Sequence, residues 1–173
     1  MKIILENISK KFSNTLVINN FNYSFEKKTY AITGKNGSGK STLLKIIGNF
    51  LLPSSGIIKY DFLENRDIPK KIFFSAPYQE LISELTIKDF LNFHKKFRDP
   101  SLKIEKCLND FNLIKYYNKK IENLSSGTIQ KLKLLISFHS NSEFILLDEP
   151  TTNLDHEGKL IYKNQFIKYQ KEV

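Results

Sequence analysis

The chain has 173 residues, 40% of them hydrophobic, which is enough for one domain with a buried core and argues against intrinsic disorder. Its 27 Lys and Arg against 18 Asp and Glu give a net charge of +9. The lysines occur as scattered pairs, so we attribute the charge to solvated surface and expect no direct nucleic-acid binding. No run approaches 18 consecutive apolar residues, and the first residues lack a secretion-signal pattern, so we expect neither a membrane span nor secretion.

The first part of the chain predicts two strands, at Ile3–Leu5 and Tyr23–Phe25, with a polar turn at Ser13–Asn14 between them. Phe12 stands just before that turn. Its ring could stack on a nucleotide base, although core packing is the ordinary explanation for a single phenylalanine.

Residues 34–42 read GKNGSGKST, between a predicted strand at 30–33 and an apolar helix that should end near Asn49 or Phe50. This is the G-x-x-x-x-G-K-S pattern of a phosphate-binding loop. Its glycines permit turns that point successive N–H groups at phosphate oxygens. Lys40 can reach the β- and γ-phosphates, and Ser41 can offer its hydroxyl to Mg²⁺. A glycine-rich turn that binds nothing would not need these two residues, so the loop predicts nucleoside triphosphate binding.

After a turn signal at Pro53–Gly56, the pattern predicts a strand at Ile57–Tyr60 and a loop or hairpin over Asp61–Lys71. A further strand is predicted at Ile72–Ser75, and Pro77 should end it.

The next stretch is helical in pattern. Thr86 should cap a helix that Pro100 ends, and Leu102–Phe111 and Leu113–Asn118 should supply further helical turns. We interpret residues 86–124 as a helical insertion between two strand-bearing parts. Cys107, the single cysteine, cannot form an internal disulfide, and we expect it to pack as a small hydrophobic residue in a reducing cytosol.

A small-residue turn at Ser125–Gly127 precedes a helix that Thr128 should open. Lys131 and Lys133 are predicted to face solvent on that helix. Its inward-facing residues should be Ile129, Leu132, Leu135 and Ile136.

Phe144–Leu147 is a continuous apolar run, typical of a strand buried on both faces, and it leads into Asp148 and Glu149. Carboxylate oxygens suit Mg²⁺, so Asp148 is a candidate metal ligand, and Glu149 could orient or deprotonate an attacking water. Alone, this pair could equally be solvent-facing turn residues, but the upstream phosphate loop favours the catalytic interpretation. A last helix is predicted at Gly158–Gln170.

Together these motifs resemble the nucleotide-binding domain of ATP-binding cassette (ABC) proteins. The resemblance is carried by GKNGSGKST at 34–42, LSSGT at 124–128, FILLDEP at 144–150 and TTNLD at 151–155. It implies an α/β P-loop NTPase fold: a RecA-like parallel sheet flanked by helices, an N-terminal antiparallel β subdomain and an α-helical insertion. The single domain would divide into a core of residues 1–85 and 125–173 and a helical subdomain at about 86–124.

The resemblance also implies ATP and Mg²⁺ as ligands and assigns roles to residues. Catalytic roles fall to Glu149, Lys40 and Gln79, and metal contacts to Ser41, Asp148 and Gln79. The nucleotide contacts would be Phe12, Gly34, Asn36, Gly37, Ser38, Gly39, Lys40, Ser41 and Thr42. In a head-to-tail dimer, the partner's nucleotide would be met by Ser125, Ser126, Gly127 and Asp155.

Three departures from the family pattern stand out. The signature loop has Ser126 where the family most often has Gly, and Thr128 where it has Gln. The glutamine expected after the Ile72–Ser75 strand is either Gln79 or is replaced, because ungapped counting places Pro77 there. The family's next strand and its γ-phosphate histidine have no counterpart before Val173, so we expect either a C-terminal truncation or a protein that works without that histidine.

The resemblance implies the ATPase subunit of a transporter: a homodimer or cassette dimer bound to integral membrane permease subunits. Such a subunit is cytoplasmic and peripheral on the inner face of the cell membrane. Two alternatives are a soluble ABC-type ATPase acting on nucleic acid or ribosomes, and a weakly hydrolysing nucleotide-binding fragment. The transported substrate and the direction of transport would be set by the membrane subunits.

Overall fold

The computed structural model describes residues 1–61, 68–98 and 103–172. It divides into two compact units, Met1–Phe73 and Phe74–Val173. The described strands are β1 (Lys2–Phe12), β2 (Thr15–Glu26), β3 (Ser55–Tyr60), β4 (Ile72–Ser75) and β5 (Phe144–Leu147). The described α-helices are α1 (Lys40–Ile47), α2 (Ile68–Lys71), α3 (Ile87–Phe97), α4 (Ile104–Asp110), α5 (Ser126–Phe138) and α6 (His156–Glu172). The predicted division at residues 86 and 124 remains a prediction.

The first unit contains an antiparallel sheet in the order β2-β1-β3. Ile3 pairs with Phe25 on one side and with Tyr60 on the other. Ile3, Leu5 and Ile8 are almost completely buried, so β1 supplies the centre of this unit's core. The predicted N-terminal hairpin and the antiparallel character of this part are confirmed.

Gly56 on β3 lies very close to the backbone of β1. Its φ is +94°, in the left-handed region, and an added Cβ would lie 2.5 Å from the carbonyl oxygen of Asn7. Asn7 itself falls where the β1–β3 register shifts, between Glu6 and Ser9. Only glycine meets both requirements, the positive φ and the close approach.

The predicted strand at residues 30–33 is wrong, because no strand forms there. Tyr30 instead packs against the end of β2: its ring centroid is 5.1 Å from that of Phe25, and its hydroxyl accepts a hydrogen bond from the Glu26 N–H at 3.0 Å. An apolar segment becomes a strand only when a neighbouring strand satisfies its backbone, and none of the described strands pairs with this one.

In the second unit, the end of β4 lies beside β5, where the Asp148 N–H donates to the Ser75 carbonyl oxygen at 2.8 Å. Both strands were predicted and are confirmed. All four β5 residues are only half-buried, however, so the prediction of a strand buried on both faces is wrong. Among the described residues β5 pairs with β4 alone, which leaves its other edge without a neighbouring strand.

The helices predicted between residues 86 and 124 are present. The Thr86 hydroxyl caps α3 by accepting a hydrogen bond from the Asp89 N–H at 3.1 Å, as predicted. Two 3-10 turns follow α4, at Ile114–Tyr116 and Ile121–Asn123. Cys107 on α4 is buried, 3% exposed, as expected for a packed thiol. Pro100 and residues 62–67, part of the predicted loop or hairpin, lie outside the described residues.

Helix α5 begins at Ser126, two residues before the predicted start, and buries Leu132, Leu135 and Ile136. The prediction that Lys133 faces solvent is wrong, since it is 4% exposed. Its Nζ donates to the carbonyl oxygens of Ala76 and Pro77, at 3.1 and 2.6 Å. Helical periodicity marks the buried face, but it does not reveal that carbonyl oxygens lie within reach of a long side chain.

Burial lowers the pKa of Lys133, because desolvation disfavours the charged ammonium group. The two carbonyl oxygens offset part of that cost.

Along the residues that the structure describes, no helix combines the length and apolar character that a membrane crossing requires.

Gly56→Ala should lower the free energy of unfolding by about 2–4 kcal/mol, measured by urea denaturation. The substitution combines a left-handed φ with a clash against the Asn7 backbone. Gly37→Ala is the matched control: its φ is +79°, but nothing lies within 4 Å of the added Cβ. It should cost only about 1–2 kcal/mol. Equal losses would contradict the role given to the Asn7 contact.

Lys133→Met should lower the free energy of unfolding by about 1–3 kcal/mol. The Pro77 carbonyl oxygen would lose the Lys133 ammonium donor, and the Ala76 carbonyl oxygen would lose one of its two described donors. Lys163→Met provides the comparison, because Lys163 is an exposed lysine on α6. That loss should stay below about 0.5 kcal/mol. Thermal and urea denaturation would measure both, and a Lys133 variant as stable as wild type would argue against the buried hydrogen bonds.

Candidate nucleotide site

The phosphate loop lies in the first unit and leads directly into α1. Gly37 and Gly39 have φ of +79° and +91°, values that allow the chain to turn twice within three residues. The Leu43 N–H donates to the Gly39 carbonyl oxygen at 2.8 Å and closes the first helical turn. The free N–H groups at the start of α1 therefore lie at the end of the loop, where an anion is favoured.

Lys40 folds back over this loop. Its Nζ donates to the carbonyl oxygens of Gly34 and Lys35, each at 2.9 Å. A phosphate oxygen would offer the same ammonium group a charged acceptor in place of two neutral ones. The arrangement is therefore suited to an anionic ligand.

Phe12 belongs to the same unit and ends β1. Its side chain is 45% exposed, and the Lys10 Nζ lies 5.2 Å from the ring centroid. The hairpin that carries Phe12 also contacts the loop, since a Cβ at Gly39 would lie 3.0 Å from Val17 of β2. Phe12 is thus not a core residue, and its ring is accessible on a hairpin that touches the phosphate loop. Base stacking by Phe12 stays a prediction.

Asp148 and Glu149 follow β5 in the second unit, and their environments differ. Asp148 is 5% exposed, and its Oδ2 accepts a hydrogen bond from the Tyr78 hydroxyl at 3.2 Å. Glu149 is exposed, and its φ of +45° is uncommon for a residue with a side chain. Its Oε2 accepts from the Thr152 hydroxyl at 3.0 Å. One carboxylate is therefore held inside, and the other is presented to solvent on a strained backbone.

Tyr78 is a residue that the sequence analysis missed. Burial, reinforced by the neighbouring Asp148 carboxylate, raises the pKa of Tyr78 to about 12, so its hydroxyl keeps its proton at neutral pH. Tyr78 lies between Pro77 and Gln79, the two positions at which the family pattern places a glutamine. No sequence pattern marks a tyrosine as the partner of a distant aspartate.

Gln79, a predicted catalytic and metal-contacting residue, has its side chain turned toward the backbone. Its Oε1 accepts a hydrogen bond from the Ala76 N–H at 2.9 Å, and its own N–H donates to the Ala76 carbonyl oxygen at 3.2 Å. These two bonds close the turn over residues 76–79. The metal and water roles of Gln79 stay predictions.

The predicted signature loop begins α5. The Ser125 hydroxyl caps this helix by accepting from the Thr128 N–H at 3.2 Å, and Ser126 is exposed. A Cβ on Gly127 would lie 2.9 Å from the Asn153 carbonyl oxygen, so a larger residue there would force the two loops apart. The loop therefore combines a capped helix start with a close approach to the Asn153 backbone, and its contact with a partner's nucleotide stays a prediction.

Asp155 caps α6, because its Oδ1 accepts from the Gly158 N–H at 2.7 Å. The same oxygen lies 3.9 Å from the Lys131 Nζ. These two contacts, both within one subunit, explain why the residue at position 155 is acidic. The predicted contact of Asp155 across a dimer stays a prediction.

Mg²⁺ sets requirements on the side chains that could bind it. Among the described residues, no group of three or more His, Cys, Asp or Glu could enclose a metal by itself. Mg²⁺ takes hard oxygen ligands, commonly one or two carboxylates with waters and substrate phosphates. The Ser41 hydroxyl in the first unit and the Asp148 carboxylate in the second are each an oxygen ligand of the type that Mg²⁺ takes, and their metal contacts stay predictions.

Comparisons with known proteins identify the family. The family profile described as "ABC transporter" matches residues 18–152. The chain is 36% identical over 159 residues to the zinc import ATP-binding protein ZnuC of Wigglesworthia glossinidia brevipalpis, covering 91% of this chain and 66% of that protein. It is 31% identical over 180 residues to the spermidine/putrescine import ATP-binding protein PotA of Acetivibrio thermocellus, covering 99% and 51%.

A solved structure also matches. It is a dimeric ATP-binding cassette in a post-hydrolysis state bound to ADP and Pi, with 27% identity and a TM-score of 0.80. The match covers 98% of this chain and 83% of the other, and it confirms the predicted P-loop fold class. The chain spans 66% and 51% of the two transport proteins above, less than two thirds of each. This chain therefore belongs to the ABC transporter family of ATP-binding proteins.

Proposed function

We propose that this chain is the ATP-binding subunit of an ABC transporter, which binds and hydrolyses MgATP to drive transport through separate membrane subunits. The observation that carries the proposal is Lys40, whose ammonium group is held over a glycine-shaped loop at the start of α1. Relatives named as import ATP-binding proteins support the transport assignment.

In the proposed binding step, N–H groups of residues 34–42 and the Lys40 ammonium contact the β- and γ-phosphates. Ser41 and Thr42 lie in the first turn of α1, the turn that also carries the free N–H groups of the helix start. The exposed Phe12 ring stacks on the base. The wider loop, through Asn36 and Ser38, surrounds the phosphate chain.

In the proposed chemical step, the oxygen of a water attacks the γ-phosphorus while the bond to the β–γ bridging oxygen breaks. Glu149 orients this water and takes its proton, since it is the exposed carboxylate of the pair. Asp148 and Ser41 would each offer an oxygen ligand to Mg²⁺, which would supply positive charge to the phosphate oxygens. ADP and inorganic phosphate leave as products.

We further propose that two copies pair head to tail. The α5 start of one copy, with Ser125, Ser126 and Gly127, then faces the γ-phosphate held by the other. The relative solved as a dimer with ADP and Pi supports the pairing of two copies. Permease subunits in the membrane would hold the pair at the cytoplasmic face. We assign the net charge of +9 to solvated surface residues rather than to a nucleic-acid-binding face.

Lys40→Ala should abolish ATP binding, because the loop loses the ammonium group assigned to the β- and γ-phosphates. Isothermal titration calorimetry with ATP in EDTA measures this without hydrolysis. Lys163→Ala, which removes one exposed lysine on α6, is the charge-matched control and should bind as wild type does. ATP binding by the Lys40 variant with wild-type affinity would reject the assignment of the loop.

Glu149→Gln should keep MgATP binding and slow turnover at least ~10²-fold, because the amide cannot accept the proton of the water. The measurement is phosphate release at saturating ATP, together with the dissociation constant for ATP. Glu105→Gln, on the exposed surface of α4, is the control and should keep wild-type turnover. Equal turnover in the Glu149 variant would remove this residue from the mechanism.

A further inference from the structure

The turn over residues 76–79 connects β4 to the rest of the second unit, and it is fixed from three directions. The Lys133 Nζ donates to the Ala76 and Pro77 carbonyl oxygens. The Gln79 side chain accepts from the Ala76 N–H, and the Gln79 N–H donates back to the Ala76 oxygen. Ala76 is completely buried, so these polar groups cannot exchange their partners for water without opening the turn.

This turn faces Asp148 because β4 and β5 end side by side. The Asp148 N–H donates to the Ser75 carbonyl oxygen at 2.8 Å, one residue before the turn begins. The backbone of Asp148 is therefore hydrogen-bonded to the end of β4, the strand that leads into the turn. A side chain of the turn can reach the carboxylate directly.

Tyr78 is the side chain that reaches it. Its hydroxyl donates to Asp148 Oδ2 at 3.2 Å, although 53% of the tyrosine remains exposed. Asp148 is 5% exposed, so few waters can take the place of this donor. A hydrogen bond from a fixed donor restricts the rotation of a carboxylate and selects which oxygen faces the remaining open side.

Gln79 is not in a position to share this role in the same state. Its Oε1 is the atom that would contact a metal or a water, and it already accepts a hydrogen bond from the Ala76 N–H at 2.9 Å, which turns the side chain toward the backbone. Releasing Oε1 would leave a buried N–H without that acceptor, which costs about 1–3 kcal/mol. The glutamine supports the turn, and the tyrosine extends from it toward the carboxylate.

We propose that Tyr78 is the positioning residue of the metal carboxylate: its hydroxyl orients Asp148 for Mg²⁺, and Lys133 and Gln79 hold the turn that carries it. The inference deepens the proposed function and rests on it. It replaces Gln79 by Tyr78 as the residue of this turn that acts on the metal side of the site.

The test is Tyr78→Phe, which removes one oxygen and keeps the ring. Mn²⁺ replaces Mg²⁺ as the probe, and its affinity for the ATP-bound protein is measured by electron paramagnetic resonance. Tyr78→Phe should weaken Mn²⁺ binding about ten-fold or more, the usual effect of losing a hydrogen-bonding partner of a metal ligand. ATP binding in EDTA should be unchanged, because the phosphate loop is untouched.

Two further variants make the result specific. Tyr116→Phe, which removes another tyrosine hydroxyl in the same unit, should leave Mn²⁺ affinity at the wild-type value. Gln79→Glu keeps an oxygen for the Ala76 N–H and adds a charge, and its effect on Mn²⁺ should be smaller than that of Tyr78→Phe.

The inference is overturned if Tyr78→Phe binds Mn²⁺ with wild-type affinity, or if Gln79→Glu changes that affinity more than Tyr78→Phe does. Either result would leave the proposed function standing, because wild-type protein would still bind Mn²⁺ with ATP. Failure of the wild-type protein to bind ATP at all would instead reject the proposed function, and the role of Tyr78 with it.

Discussion

The hydrogen bond between the Asp148 N–H and the Ser75 carbonyl oxygen is the interaction on which the second unit's site depends. It sets the ends of β4 and β5 side by side. Everything that follows each strand is thereby brought to one place: the turn over residues 76–79 after β4, and the two acidic residues after β5. The close pairing of Asp148 with Tyr78 follows from this arrangement, although 70 residues separate them.

Close backbone approach recurs at the predicted functional loops. Gly39 lies against Val17 of the N-terminal hairpin, and Gly127 lies against the Asn153 carbonyl oxygen. In both places a Cβ would fall at or below 3.0 Å from a neighbouring atom. A glycine at such a position therefore serves two purposes, since it shapes its own loop and also allows a second segment to lie beside that loop.

Local chemistry made much of this protein predictable from its sequence. The phosphate loop, the Thr86 cap and the strand before Asp148 each depend on residues close together in the chain, so short patterns predict them. Lys133 and Tyr78 escaped prediction because their partners, the Ala76 and Pro77 carbonyl oxygens and the Asp148 carboxylate, lie more than 50 residues away. Residues 30–33 were misassigned for a related reason, since strand formation needs a paired neighbour that composition does not reveal.

The burial of Cys107 gives this chain a built-in reporter of local opening. The thiol is the chain's only one, and burial, with the nearby Asp110 carboxylate, raises its pKa, so little of it is present as the reactive thiolate. A thiol-specific dye would therefore react no faster than the interior of this helical region becomes exposed. When reclosing is faster than labelling, the ratio of this rate to that of an unfolded thiol gives the free energy of the opening, without any engineered cysteine.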